Sequence, residues 1–399
     1  MLKGKDIICV SYTTWYGPYT KSTVQILSRL AKHNRLVFIE YPFTLKDVVT
    51  TLLGKTKVPL ARMFGFKNRL KVLQTDVESE VYQLIAPPVF PVDFIKNEKI
   101  FKPFYRVNNL LYRWAIKQTM KKLDIKSPVV ITAFNALYGL PLVGRLNEKM
   151  NVYYCYDGIE TRRHGERIFK IDEDFSKAVD GIITTSDYLN IDKEKMNPNS
   201  YVVKNGVDYD LFISEAKTDL HSDRKRKIIG YIGSLDHRFD IDTMEYAIKQ
   251  LSEVNFEFTG DLRNKLIKDR LDGYPNVKFF PPIAPHEVPA LLASYDLGVI
   301  PYIVNEVNKN IYPLKINEYL AVGVSVVLTS FAKLPEFEQI VRFATDKEEF
   351  TRQLNEELSN DSKEKIAERK AFSSKNSWNN KADEFSEVLE QLLNKTKHQ

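Results

Sequence analysis

The sequence predicts an α/β protein with two open, mainly parallel sheets, and three stretches carry that prediction. The chain opens as strand, turn, helix and strand over residues 6–12, 15–20, 22–31 and 35–41. This is how a parallel sheet covered by helices begins. The pattern restarts at Ile228-Ile-Gly-Tyr-Ile-Gly-Ser-Leu235, after a polar and charged stretch at 213–227. It recurs in Pro313-Leu-Lys-Ile-Asn-Glu-Tyr-Leu-Ala-Val-Gly-Val-Ser-Val-Val-Leu328. There Pro313 opens a helix, Gly323 closes it, and the apolar run 324–328 suits a strand buried on both faces. A chain of 399 residues also exceeds one ordinary core. We expect a first Rossmann-like domain over 1–212, a linker at 213–227, a second domain over 228–375 and a C-terminal helix over 376–399.

Taken in order, Val24, Ile26, Leu27, Leu30 and Ala31 recur at helical spacing after the first strand. In such sheets ligands gather at the carboxyl ends of strands. Gly17 stands where substrate could approach the backbone, although plain turn chemistry accounts for it equally. Residues 46–126 are less regular, with Pro87, Pro88 and Pro91 breaking 84–94. Residues 104–122 read as a helix with Phe104, Val107, Leu111 and Trp114 toward the core. Arg106, Arg113, Lys117 and Lys121, seven and then four residues apart, form a basic face. Strands follow at 129–134 and 151–156, the latter ending in Asp157-Gly158. A helix over 175–180 and a strand over 182–186 complete the first domain. In the second, strands at 257–260 and 277–282 and a helix at 286–294 lead to 296–301. Helices are expected at 345–358, 362–372 and 377–393.

The net charge of +6 is unevenly placed, since residues 46–126 hold 16 Lys and Arg against 7 Asp and Glu. Such a region can face phosphates or an anionic lipid surface. No nucleic-acid motif accompanies it, so nucleic acid is not expected as a partner. Cys9 and Cys155 lie in apolar runs and read as reduced, buried residues of a cytoplasmic protein. No stretch reads as a signal peptide or a membrane span.

The helix opened by Pro313 carries the chemistry. Its first turn offers free amides and a dipole that favours anions. Lys315 sits in that turn and Glu318 three residues on, sharing its face. A cation with free N–H groups suits phosphate, and a carboxylate one turn deeper suits paired sugar hydroxyls. A weak surface ion pair is the plainer reading of the same two residues.

This stretch resembles the nucleotide-binding helix of GT-B glycosyltransferases with the Glu-x7-Glu motif, which often read Pro-x-Lys-x-x-Glu-Tyr-Leu-Ala-x-Gly-x-Pro-Val-Val. Glu318 matches the second glutamate, Asn310 stands at the first, and Ser325 replaces the usual Pro. Asn205-Gly-Val-Asp208 with Phe212, Val179-Asp-Gly-Ile-Ile-Thr-Thr-Ser186 and Asp296-Leu-Gly-Val-Ile-Pro301 resemble other family segments. The resemblance is closest to bacterial enzymes of surface polysaccharide or teichuronic-type polymer synthesis.

The resemblance implies two Rossmann-like domains facing a cleft, with the C-terminal helix crossing back to the first. It implies transfer of a hexose-type sugar, with retention, from a UDP- or GDP-linked donor to a hydroxyl of a glycan or lipid-linked acceptor. No other cofactor and no metal are expected. Glu318 would hold the donor ribose. Lys315, Leu314 and nearby amides would hold the phosphates, with Gly233-Ser234 and Arg238 facing the diphosphate. Ile283 falls in the base-binding loop, where Pro281 and Pro282 stand in place of a common Gly. Asp157 is a base or acceptor-orienting carboxylate, or else a loop cap; His164 is the nearest alternative. Asp240 and Asp242 form an Asp-x-Asp, read as helix capping. A sugar-nucleotide epimerase or a non-catalytic partner-binding subunit would share this fold. The basic face predicts peripheral binding to an anionic membrane surface on the inner side of the cell membrane.

Overall fold

The computed structural model describes residues 1–17, 21–159, 161–220 and 224–396, without the side chains of 161–164 and 396. The chain divides into two compact units. The first comprises Met1–Gly17, Lys21–Val203 and the residues from Ala382 onward; the second spans Lys204–Lys381.

The first unit is built on eight strands: β1 (Asp6–Ser11), β2 (Arg35–Ile39), β3 (Leu70–Gln74), β4 (Glu80–Leu84), β5 (Val129–Ala133), β6 (Met150–Cys155), β7 (Gly181–Thr184) and β8 (Ser200–Val202). Their order is β3-β4-β2-β1-β5-β6-β7-β8, parallel except for the β3–β4 pair. β5, β6 and β7 are buried along their whole length, as expected of near-continuous apolar runs under helices on both faces.

The second unit holds β9 (Ile228–Ile232), β10 (Asn255–Thr259), β11 (Val277–Phe280), β12 (Leu297–Ile300), β13 (Ser325–Thr329) and β14 (Arg342–Ala344). Its order, β11-β10-β9-β12-β13-β14, is all parallel. This is the doubly wound Rossmann order, with the strand sequence reversing at β9 and β12. Helix Leu314–Ala321 feeds β13 through Gly323, whose φ is 82°. The amides of Gly323 and Val324 reach back to the carbonyls of Leu320 (3.0 Å) and Tyr319 (2.9 Å), a Schellman cap.

Several expectations are corrected. Residues 204–212 belong to the second unit and not the first. Val207 and Phe212 lie in its core, and Val207 exchanges backbone hydrogen bonds with Asn376 (3.0 Å) and Trp378 (2.9 Å). The stretch 213–227 is therefore not the boundary. The irregular region contains the β3–β4 hairpin, whose exposed charged residues disguise its alternation.

The helix expected from Phe104 runs from Glu98 to Lys122, with Asn97 capping it and Pro103 inside it. Pro103 is exposed, so the carbonyl that its missing N–H would have engaged can turn to water. The buried face of this helix is Phe101, Asn108, Tyr112, Ala115, Ile116, Thr119 and Met120. Phe104, Val107 and Trp114 are exposed and Leu111 is half-buried, so the stripe expected in the core faces solvent. Asn108 makes the difference, because its side-chain amide holds both backbone groups of Phe90 (2.8 Å each) under the helix. No helix among the described residues is long and apolar enough to cross a membrane.

Candidate functional site

The polar residues of the second unit converge where its strand order reverses, at the carboxyl ends of β9 and β12. β9 runs into Gly233, whose φ of 133° a side-chain-bearing residue rarely adopts. A Cβ at Gly233 would lie 2.3 Å from Lys315 Nζ, so the glycine also makes room for the ammonium. Lys315 enters from the first turn of helix Leu314–Ala321. Its Nζ donates to the phenol oxygens of Tyr231 (3.0 Å) and Tyr302 (3.1 Å) and lies 4.2 Å from the centre of the Tyr231 ring. The Tyr231 hydroxyl donates in turn to the carbonyl of Ser234 (2.8 Å).

The Arg238 guanidinium lies 5.4 Å from the centre of the Tyr302 ring. Burial alone would raise the Tyr302 phenol, but Lys315 and Arg238 outweigh it and bring it below its ordinary value. Arg238 is itself held by a two-pronged contact with Asp236 (Nε–Oδ1 2.9 Å, Nη2–Oδ2 2.6 Å). Burial would raise the Asp236 carboxyl, yet Arg238 holds it below the usual range. This pre-orients the guanidinium and commits half of its fork.

Glu318, one turn beyond Lys315, is half-buried, and its side chain makes no hydrogen bond or salt bridge among the described residues. Burial pushes its carboxyl up to about 7, against the opposing pull of Lys315. The surface ion pair between these two residues does not form, because the ammonium is turned onto the phenols. Leu314, half-buried, heads the helix, where the first amides have no intrahelical acceptor. Lys315, Glu318, Leu314, Gly233, Ser234 and Arg238 are thus brought to one end of one sheet.

The remaining expected residues fall elsewhere. Asn310 ends the short turn Asn308–Asn310 and points its side-chain amide at the carbonyls of Glu306 and Val307 (3.4 Å each). Ile283 is half-buried after β11, two strands from β9 in the sheet order. Asp157 belongs to the first unit, exposed just beyond β6, with Oδ1 accepting the Gly158 N–H (2.8 Å). Gly17 is exposed in the loop after β1, and a Cβ there would meet Lys21 Nζ at 2.8 Å. The side chain of His164 lies outside the described residues. Asp240 caps helix Ile241–Gln250 through the Thr243 N–H (3.0 Å), and Asp242 pairs with Arg270 (2.6 Å).

Tyr231, Tyr302 and Asp236 escaped sequence reasoning. Tyr231 reads as one more apolar residue of a strand. The available signal was position, since both tyrosines stand at or next to the carboxyl end of a strand flanking the reversal point.

Residues 226–360 match the family model "Glycosyl transferases group 1". A Bacillus subtilis (strain 168) protein, TuaH, named for teichuronic acid biosynthesis as a glycosyltransferase, is 31% identical over 160 residues. That alignment covers 38% of this chain, which spans only 40% of the relative's length. Among solved structures, the sucrose-phosphate synthase of Thermosynechococcus elongatus aligns with a TM-score of 0.67 at 15% identity, over 97% of this chain and 99% of that one. An E. coli trehalose-6-phosphate protein bound with UDP-2-fluoro glucose aligns with a TM-score of 0.68 at 11% identity, over 97% and 99%. At such identities the likeness is one of fold, and the fold is GT-B.

Proposed function

We propose that this chain, a GT-B protein whose residues 226–360 form a glycosyl transferases group 1 domain, moves a hexose-type sugar from a nucleotide-diphosphate donor to a hydroxyl. One observation carries the reading: Lys315 lies against Gly233 between two phenols, with Arg238 beyond them and the unpartnered carboxylate of Glu318 one turn along. Cations and helix amides suit a diphosphate, and a carboxylate free of protein donors suits the two ribose hydroxyls. The UDP sugar named for the E. coli neighbour supports a donor of this class, UDP- or GDP-linked.

As the glycosidic bond breaks, negative charge grows on the leaving diphosphate. Lys315, the amides from Leu314 onward and the uncommitted edge of the Arg238 fork would stabilise it where they already stand. These groups supply positive charge without a metal ion. Asp157 would orient or deprotonate the acceptor hydroxyl, and anomeric configuration would be retained. The likeness to the teichuronic acid relative supports a glycan or lipid-linked acceptor in surface polysaccharide synthesis. The same reading puts the protein in the cytoplasm, peripheral on the inner face of the membrane, with the cations of 46–126 toward anionic lipid.

The experiment is thermal stabilisation by a panel of nucleotide sugars, followed by calorimetry on the best one. A ligand that binds only the folded state raises the melting temperature by mass action. The donor should do so for the wild type and lose most of its effect in Lys315→Met. A panel without any shift, or a shift unchanged in Lys315→Met, would overturn the assignment.

A further inference from the structure

Thirteen of the 25 exposed large apolar side chains among the described residues fall between Leu45 and Trp114. So heavy a share in one short region is unusual for a surface bathed only in water. They are also ordered. On helix Glu98–Lys122, Ile100, Phe104, Val107 and Trp114 form one solvent-facing stripe. At about 100° per residue it lies between the buried face and the cations Arg106, Lys117 and Lys121. Helix Leu45–Leu52 repeats the arrangement with Leu45, Val49 and Leu52, the last 74% exposed. The two helices meet through Val89 and Phe90. Leu45 donates its N–H to the Val89 carbonyl (2.8 Å), and the Phe90 and Phe104 rings lie 4.9 Å apart.

A pocket of about 250 Å³ opens beside Trp114, lined among others by Gly65, Lys67, Arg69, Gln118 and Lys122. No acidic residue is among the described residues that line it. None of its three cations forms a salt bridge among the described residues. The Arg69 guanidinium is steadied by the Met63 carbonyl (3.1 Å) and stands 5.5 Å from the centre of the Trp114 ring. Phe64 and Phe66, the sequence neighbours of the lining residue Gly65, are both exposed, Phe66 by 85%. Exposed apolar and aromatic residues around uncompensated cations match the chemistry of an anionic bilayer, where rings sit at the headgroup boundary and cations meet phosphates.

We propose that this face of the first unit inserts into an anionic phospholipid surface. Phe66, Leu52 and Trp114 enter the acyl boundary, and the pocket between Lys67, Arg69 and Lys122 takes a lipid phosphate. The proposal rests on the membrane-side reading above and replaces a purely electrostatic stripe with insertion.

The full chain contains three tryptophans. Trp15 and Trp378 are only 6% and 2% exposed, so a change in emission at the surface reports Trp114. Vesicles mixing phosphatidylglycerol with phosphatidylcholine should shift the emission to the blue, and bromine-labelled acyl chains should quench it. Leu52→Ser/Phe66→Ser should weaken vesicle binding by about tenfold with all cations intact. Lys67→Ser/Lys122→Ser should reduce preference for phosphatidylglycerol over phosphatidylcholine by about tenfold. Unquenched emission, equal binding by the Leu52→Ser/Phe66→Ser variant, or a lipid-free dimer that this variant dissolves would each overturn insertion. Donor-induced stabilisation is read without lipid, so loss of vesicle binding with donor binding kept refutes only this proposal. The reverse result refutes only the transferase.

Discussion

Both sheets reverse their winding beside their first strand, at β1 and β5 in one unit and at β9 and β12 in the other, and both set a lysine against a glycine there. The two lysines are used differently. Lys21 donates to the carbonyls of Thr14 (2.5 Å) and Tyr16 (2.8 Å) and to the Thr14 hydroxyl (3.0 Å), which takes up all three of its N–H groups. It braces its own loop. Lys315 has two phenols and no carbonyl or carboxylate partner among the described residues. It keeps one N–H and most of its charge for something outside the protein. Equivalent places in a fold therefore part company by the acceptors around the cation, and the glycine alone does not distinguish them.

The largest test of this contrast separates the two ends by what they affect. Asp157→Asn, in the first unit, should lower turnover by 10²-fold or more if the carboxylate is a general base, as such groups contribute about 10²–10⁴. Donor affinity and melting temperature should stay near wild type. An early-melting variant whose folded fraction turns over normally would make Asp157 a loop cap and nothing more.

Next come the glycines. Gly233→Ala forces a side chain into a left-handed backbone and onto the Lys315 ammonium. It should destabilise by about 1–3 kcal/mol and weaken donor binding at least about tenfold. In Gly17→Ala the close neighbour among the described residues is the flexible end of Lys21, so the change should stay within about 1 kcal/mol by denaturant titration. Equal losses at both positions would erase the distinction.

Glu318→Gln should split function from stability. The folded carboxyl lies at about 7, above its ordinary 4.5, so the folded state holds the proton more tightly. Ionisation therefore costs stability as pH rises from 4.5 through about 7, and the loss levels off above that, where both states are ionised. At pH 8 the Gln variant should be more stable than wild type by about 1–3 kcal/mol, and the gain should fade as pH falls toward 4.5. Donor affinity should drop by about 1–3 kcal/mol, as for a charge-assisted hydrogen bond. A variant that binds donor normally would remove Glu318 from the site. The smallest expected effect is that of EDTA, which should leave turnover unchanged; activity lost to EDTA and restored by Mn²⁺ would overturn the metal-free reading.

What could be read beforehand followed local periodicity. The helix Ser22–Ala31 and the helix-cap-strand run from Leu314 to Thr329 are legible because their apolar spacing, Pro313 and Gly323 all lie within a few residues. Lys315 and Glu318 were legible for the same reason. Their surroundings were not, since Tyr231 reaches Lys315 across 84 residues of sequence. The helix Glu98–Lys122 shows the opposite limit. Its apolar stripe was visible, but periodicity does not say which face is covered, and here the covered face includes Asn108 and Thr119.

The route of the chain has a consequence for biosynthesis. Among the described residues the second unit is one continuous segment inserted into the first, and helix Trp378–Thr396 returns the chain to where it began. Within the first unit, Phe385, Leu389 and Leu392 of that helix are buried. Phe385 meets the Tyr154 ring at 5.2 Å, and Ser386 Oγ accepts the Leu2 N–H (2.5 Å). A ribosome thus delivers the first sheet early but its last wall only after all of the inserted segment. The amino-terminal domain is completed second. Until then its core side by β6 and β7 stays open to chaperones, so a nonsense codon near position 380 should spare the inserted domain and condemn the older half of the chain.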